Sequence, residues 1–169
     1  METLDNLITL AYVGINAFSV VQLIGSYRWP AIARVIFFLI FILAAIINTR
    51  NGFETPWVYQ SYADYAVPLY RRFILGAFEP LTTPLVISIA AAQACIAVSM
   101  FMKGAWFRAG CLAGIIFCIA IAPLELGSAF PATLLLAMAF YQLFRLESRH
   151  THPTARRVHH RGRVSLPVH

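Results

Sequence analysis

Charged residues divide this chain into apolar stretches long enough to cross a bilayer. No Asp, Glu, Lys or Arg occurs at positions 6–27, 35–49, 80–102, 109–124 or 126–144, gaps of 22, 15, 23, 16 and 19 residues. A hydrocarbon core about 30 Å thick takes roughly 20 apolar residues per helical span. The gaps therefore predict an all-α, polytopic helical bundle with spans near 7–25, 30–48, 81–102, 107–124 and 128–145.

The first apolar run follows Glu2 and Asp5 where a cleavable leader would carry basic residues, so it reads as a retained span. Trp29 and Pro30 open the second, a headgroup-level aromatic and a helix-starting proline. Arg34, one turn in, is expected to extend back to the interface. Asn48, Thr49, Asn51 and Gly52 read as the stop of that helix. Between Gly52 and Pro80 the chain becomes aromatic and charged, with Tyr62, Tyr65, Tyr70 and Phe73 among Asp64, Arg71 and Arg72. Tyr62, Tyr65 and Leu69 fall on one helical face and the arginines on another, which predicts one in-plane interfacial helix over 53–79.

Two features bear on the later spans. Gly110 and Gly114 have the spacing that lets helix backbones approach closely. Positions 109–144 in a single helix would reach about 54 Å, and Pro123, Gly127 and Pro131 interrupt that run, favouring two short spans turning at Glu125. A count in which 109–144 crosses once remains open. Residues 147–169, basic and containing all five histidines, read as a disordered tail.

With five spans, one side collects ten basic residues and the other has only Arg50, Arg71 and Arg72. The positive-inside rule then places the C-terminus in the cytoplasm and the N-terminus outside. A four-span count gives nine against four and puts both termini inside, so the tail is cytoplasmic either way.

Composition fits this class: 60% of the 169 residues are hydrophobic and 12% charged. The net charge of +6 sits at helix ends and in the tail, where anionic headgroups are the nearer partner, and nucleic acid is excluded. Cys95, Cys111 and Cys118 form no CxxC pair, and with every histidine in the tail no span supplies axial ligands for a haem or a metal site. No cofactor is expected, with quinone the one kept in view.

The polar residues inside the spans are few. Asn16, Gln22 and Gln93 are the candidates, and Asn16 and Gln93 are expected to hydrogen-bond across helices, with ligand binding the alternative. Glu125 is the lone charge between 109 and 144 and invites pairing with Arg71 or Arg72, which would draw the 52–80 segment onto the bundle. A solvated carboxylate in a turn is the competing reading. Paired, Glu125 would close a candidate ligand pocket lined by Asp64, Tyr65, Tyr70, Arg71, Arg72 and Phe73. No catalytic residue is evident.

The stretch Tyr62-Ala63-Asp64-Tyr65-Ala66-Val67-Pro68-Leu69-Tyr70-Arg71-Arg72-Phe73 and the break Pro123-Leu124-Glu125-Leu126-Gly127-Ser128-Ala129-Phe130-Pro131 resemble those of the DoxX-like group of small bacterial membrane proteins, over about residues 5–146. The resemblance implies a compact bundle, usually counted as four spans, in the bacterial inner membrane, with some relatives linked to quinone-dependent oxidoreductase systems. The fifth apolar run departs from that layout. The function expected is an accessory or scaffold subunit of a membrane-associated complex. A quinone- or lipid-binding subunit and a small-solute transporter are the alternatives. Expected partners are the bilayer and a membrane or cytoplasmic protein, and a homo-oligomer stays open.

Overall fold

The computed structural model describes residues 2–124 and 130–151. They form six α-helices, α1 (Glu2–Arg28), α2 (Pro30–Glu54), α3 (Pro68–Ile74), α4 (Thr82–Ser99), α5 (Gly104–Ile121) and α6 (Ala132–Thr151). Three 3-10 helices, Pro56–Asp64, Glu79–Leu81 and Ala122–Leu124, complete the elements, and no strand occurs among the described residues. Four segments, Thr9–Arg28, Pro30–Glu54, Glu79–Ser99 and Gly104–Leu124, are long and apolar enough to cross a membrane.

The clearest sign of that environment is α1, whose amphipathicity is inverted. Its buried positions are Ser19, Gln22 and Ser26, whereas Leu10, Val13, Ile15, Val21 and Ile24 are exposed. A helix in water hides its large apolar side chains and shows its polar ones; α1 does the reverse, as a helix solvated by lipid should. The small hydroxyls turn back on their own helix, Ser19 to the Ile15 carbonyl at 2.9 Å and Ser26 to that of Leu23 at 2.6 Å. Elsewhere small residues share the interior with buried rings such as Phe37 and Phe140, and many branched side chains face outward. Ala33, Ala45, Ala90, Ala97, Ala137 and Ala139 are buried, while Ile32, Leu39, Leu43, Ile46, Ile116 and Ile119 are exposed.

Consecutive long helices run antiparallel. Gln22 of α1 meets Ala33 of α2, and Arg34, Asn48 and Gly52 of α2 meet Met100, Gln93 and Thr83 at or near α4. Gly104 and Gly114 of α5 lie against Glu147 and Phe140 of α6. One end of the bundle, the platform end, thus gathers residues 48–81, the end of α5 and the start of α6. The other, the hairpin end, gathers the α1–α2 and α4–α5 turns and the C-terminal part of α6. Five long helices therefore pack side by side, α6 returning along α5.

Between lipid-solvated helices the hydrophobic effect offers little, so close packing must hold the bundle. Phe37 stacks on Phe140 with centroids 3.8 Å apart, and Phe41 meets the rings of Phe117 and Phe140 edge-on, each at 5.5 Å. The Gly110/Gly114 pair serves two contacts instead of one. A Cβ at 110 would lie 1.7 Å from the Ser99 hydroxyl oxygen, and one at 114 would lie 2.6 Å from the Phe140 ring.

Several boundaries differ from the sequence reading. Asn48, Thr49, Asn51 and Gly52 do not stop α2, which continues to Glu54. Thr49 bonds back to the Ala45 carbonyl at 2.8 Å, and Gly52 fits beneath Val86 and Ile87 of α4, so tertiary packing overrides their loop preference. The helix ends instead before Pro56, which disfavours helical geometry in the residue preceding it. The interfacial segment 53–79 is not one helix, because Pro68 holds Val67 extended (φ −57, ψ 153) and splits it into the 3-10 helix and α3. Helical order in α6 runs on to Thr151, beyond residue 147 where the tail was expected to begin. Residues 152–169 lie outside the described residues.

Arg34 reaches back to the hairpin end, where it is held by protein partners. Its Nε donates to the Met100 carbonyl at 2.6 Å, its terminal nitrogen reaches the Met102 carbonyl, and its guanidinium lies 4.0 Å from the Phe107 ring centre. The last carbonyls of a helix have no intrahelical donor, so Arg34 finds charge-assisted partners where α4 ends. On the far side of the same turn Glu147 accepts from the Gly104 amide at 2.7 Å. Gly104 has a φ of +62, a conformation that favours glycine. Two helices distant in sequence thereby clamp the α4–α5 hairpin.

Candidate functional site

The platform end concentrates the chain's polar and aromatic chemistry. Its base is a hydrogen-bonded relay across three elements. The Tyr59 hydroxyl donates to Asn48 Oδ1 at 2.8 Å, and Asn48 Nδ2 donates to Gln93 Oε1 at 2.8 Å. Gln93 is buried in α4, so this chain fixes the 3-10 helix to the α2–α4 pair from inside. Burial, followed by the neighbouring Tyr62 phenol, raises the Tyr59 pKa above the usual tyrosine value, against a smaller lowering by Asn51. Burial disfavours the phenolate, and the protonated form is the one able to donate to Asn48.

Two further bonds dock the far end of the platform. The Val67 amide donates to the Pro123 carbonyl at 3.2 Å and the Tyr70 hydroxyl to that of Ala120 at 3.0 Å, both at the end of α5. Beneath them Ala63, Ile74, Phe78 and Val86 form a second apolar core. The segment is thus held on the bundle by Tyr59, Val67, Tyr70 and Ile74. Glu125, expected to do this through Arg71 or Arg72, lies outside the described residues.

Of the six platform residues expected to line a pocket closed by Glu125, Tyr70 turns toward α5, while Asp64, Tyr65, Arg71, Arg72 and Phe73 are exposed. Among the described residues the ion pair present is Arg50 with Glu54 at 2.8 Å, one turn apart and exposed. Phe73 contacts Phe78, with ring centres 5.7 Å apart.

A cleft of about 370 Å³ opens instead beside the first part of the platform, lined by Pro56, Trp57, Gln60, Glu79, Pro80, Thr82 and Thr83. Its walls hold shape through Thr83, whose hydroxyl donates to the Gly52 carbonyl at 3.0 Å, and Thr82, which donates to that of Glu79 at 2.9 Å. An exposed indole, an amide and a carboxylate meet there, a set suited to polar contacts along the rim of a larger partner.

The remaining intramembrane polar residues stay within the bundle. Gln22 Nε2 donates to the Ala33 carbonyl at 2.9 Å, joining α1 to α2, and Asn16 Nδ2 donates to the Tyr12 carbonyl at 3.0 Å. Tyr12 reaches the Phe130 carbonyl at 2.9 Å and ties α1 to the start of α6. Sequence reasoning missed Asn48, Tyr59 and the cleft. One signal was available: Asn48 continues, three residues on, the four-residue spacing of the buried Ala33, Phe37, Phe41 and Ala45.

Among the described residues no three His, Cys, Asp or Glu side chains gather as a metal site. No protein-family model matches the chain, and comparisons with curated proteins and with solved structures give no match.

Proposed function

We propose that this protein is an accessory or scaffold subunit of a membrane-associated complex, presenting a rigid aromatic platform at one end of a lipid-embedded bundle. The observation that carries this reading is the Tyr59–Asn48–Gln93 relay, in which an intramembrane amide is committed to holding the platform in place. Gln22 is likewise engaged in joining α1 to α2. What faces outward is the fixed surface of Trp57, Tyr62 and the cleft beside Glu79. Enrichment of Trp and Tyr suits such a contact, since these side chains supply large, stiff surfaces with a polar tip.

Orientation follows from charge. Arg28, Arg34, Lys103, Arg108 and Arg145 belong to the hairpin end, and Arg50, Arg71 and Arg72 to the platform end. The positive-inside rule places the hairpin end in the cytoplasm and the platform outside. The DoxX-like resemblance, whose usual four spans differ from this layout, supports only the bacterial inner membrane as the location.

The reading is tested by extracting the protein from its native membrane in mild detergent and weighing the intact assembly by native mass spectrometry. The expected result is a second polypeptide in fixed stoichiometry, released by Trp57→Ala with Tyr62→Ala. A single chain carrying only lipid would overturn the proposal, and a retained quinone would favour the cofactor-binding alternative.

A further inference from the structure

The residues of α3, with Leu75 just after it, point in four directions. At about 100° per residue, Tyr70 and Ile74 share the inward face, one bonded to Ala120 and the other in the platform core. Arg72 comes out opposite them. Leu69 and Phe73 share one flank, and Arg71 and Leu75 the other. None of these outward residues is covered, Leu69 being 74% and Phe73 49% exposed.

In water such a helix would leave two large apolar side chains unburied. At the edge of a bilayer the same layout is favourable, because the Leu69/Phe73 flank enters the acyl region while Arg72 stays at phosphate level. The arginines need a separate account. They belong to the end of the bundle poor in basic residues, and neither makes an ion pair among the described residues. The Glu54 carboxylate, at the same end of the bundle, is engaged by Arg50. Two consecutive arginines offer forked donors that match phosphate oxygens.

We propose that α3 is an in-plane lipid-binding helix whose Arg71 and Arg72 hold the phosphate of an anionic phospholipid, with Leu69 and Phe73 against its acyl chains. The apolar flank beside Arg72 selects a lipid over a free anion. This site is independent of the scaffold role, which rests on the Trp57 side of the platform.

The test uses the full chain in phosphatidylcholine vesicles containing a photoactivatable phosphatidylglycerol, with crosslinks mapped by peptide mass spectrometry. Labelling is expected at residues 68–75. Competing unlabelled phosphatidylglycerol should suppress it, and phosphatidylcholine or inorganic phosphate should not. Each arginine replaced by Gln should weaken labelling about fivefold, the factor equivalent to about 1 kcal/mol per basic side chain at an anionic surface. Arg71→Lys with Arg72→Lys should retain more of it than the paired Gln variant, since charge is kept and only the forked geometry is lost. Undiminished labelling in Arg71→Gln/Arg72→Gln, equal competition by phosphatidylcholine, or competition by phosphate would overturn the proposal.

Discussion

Gly114 of α5 lies against the ring of Phe140 of α6 so closely that a Cβ there would come within 2.6 Å of Cζ. Phe140 is also stacked on Phe37 of α2, so the contact reaches three helices and the ring has no free direction in which to yield. Gly114→Ala is expected to destabilise the bundle by about 1–3 kcal/mol, the usual range for overpacking a filled core. Thermal unfolding in detergent reads this directly. The double variant Gly114→Ala/Phe140→Leu should recover part of the loss if the clash is its cause.

The Tyr59–Asn48–Gln93 relay makes a second prediction. Gln93→Leu removes the acceptor of Asn48 and should cost about 0.6–2 kcal/mol, the range for interhelical hydrogen bonds in membranes. Tyr59→Phe should cost a similar amount. Measured together, the two losses should fall short of their sum, because both act through Asn48. Strict additivity would show that the relay does not couple the platform to α4.

Alkaline pH should loosen the platform. Tyr59 holds its proton more tightly in the folded chain than in the unfolded one. Below about pH 10 both states are protonated and the stabilisation is fully present. As pH rises past that value the unfolded tyrosine ionises first, so stability falls until the folded phenol also titrates. Proteolysis within residues 55–67, followed against pH, should accelerate on the alkaline side. In Tyr59→Phe that acceleration should be reduced.

At the hairpin end, Arg34→Gln leaves the Met100 and Met102 carbonyls without their charged donor. The expected cost is about 1–3 kcal/mol, with faster hydrogen exchange of amides at residues 100–106 and little change at the platform. Equal loosening at both ends would mean that Arg34 acts on the whole bundle and not on the turn.

Much of the helical bundle was legible in the sequence because lipid leaves a crude signature: charges cannot be spread along a span, so their absence marks it. The gap at 80–102 contains all of α4, and that at 109–124 nearly all of α5 beyond its first turn. The ends were harder, since they depend on partners far along the chain. Asn48 and Gly52 have loop preferences, yet remain helical because Gln93, Val86 and Ile87 stand opposite them. Arg34 is an unremarkable interfacial arginine until the carbonyls of Met100 and Met102 are seen beside it. The platform defeated a single-helix reading through Pro68, a signal that was present in the sequence and outweighed by aromatic periodicity.

α6 packs along α5 but is not among the four segments long and apolar enough to cross a membrane, and the proposal that most needs testing is that it nevertheless returns across the bilayer as a fifth span. Labelling with a membrane-impermeant thiol reagent in a cysteine-free background tests it most directly, using Tyr62→Cys, Lys103→Cys and Ser148→Cys in intact cells and in inverted vesicles. Positions 103 and 148 should label only in the vesicles and position 62 only in the cells. Labelling of 148 together with 62 would contradict the account, because α6 would then fail to cross.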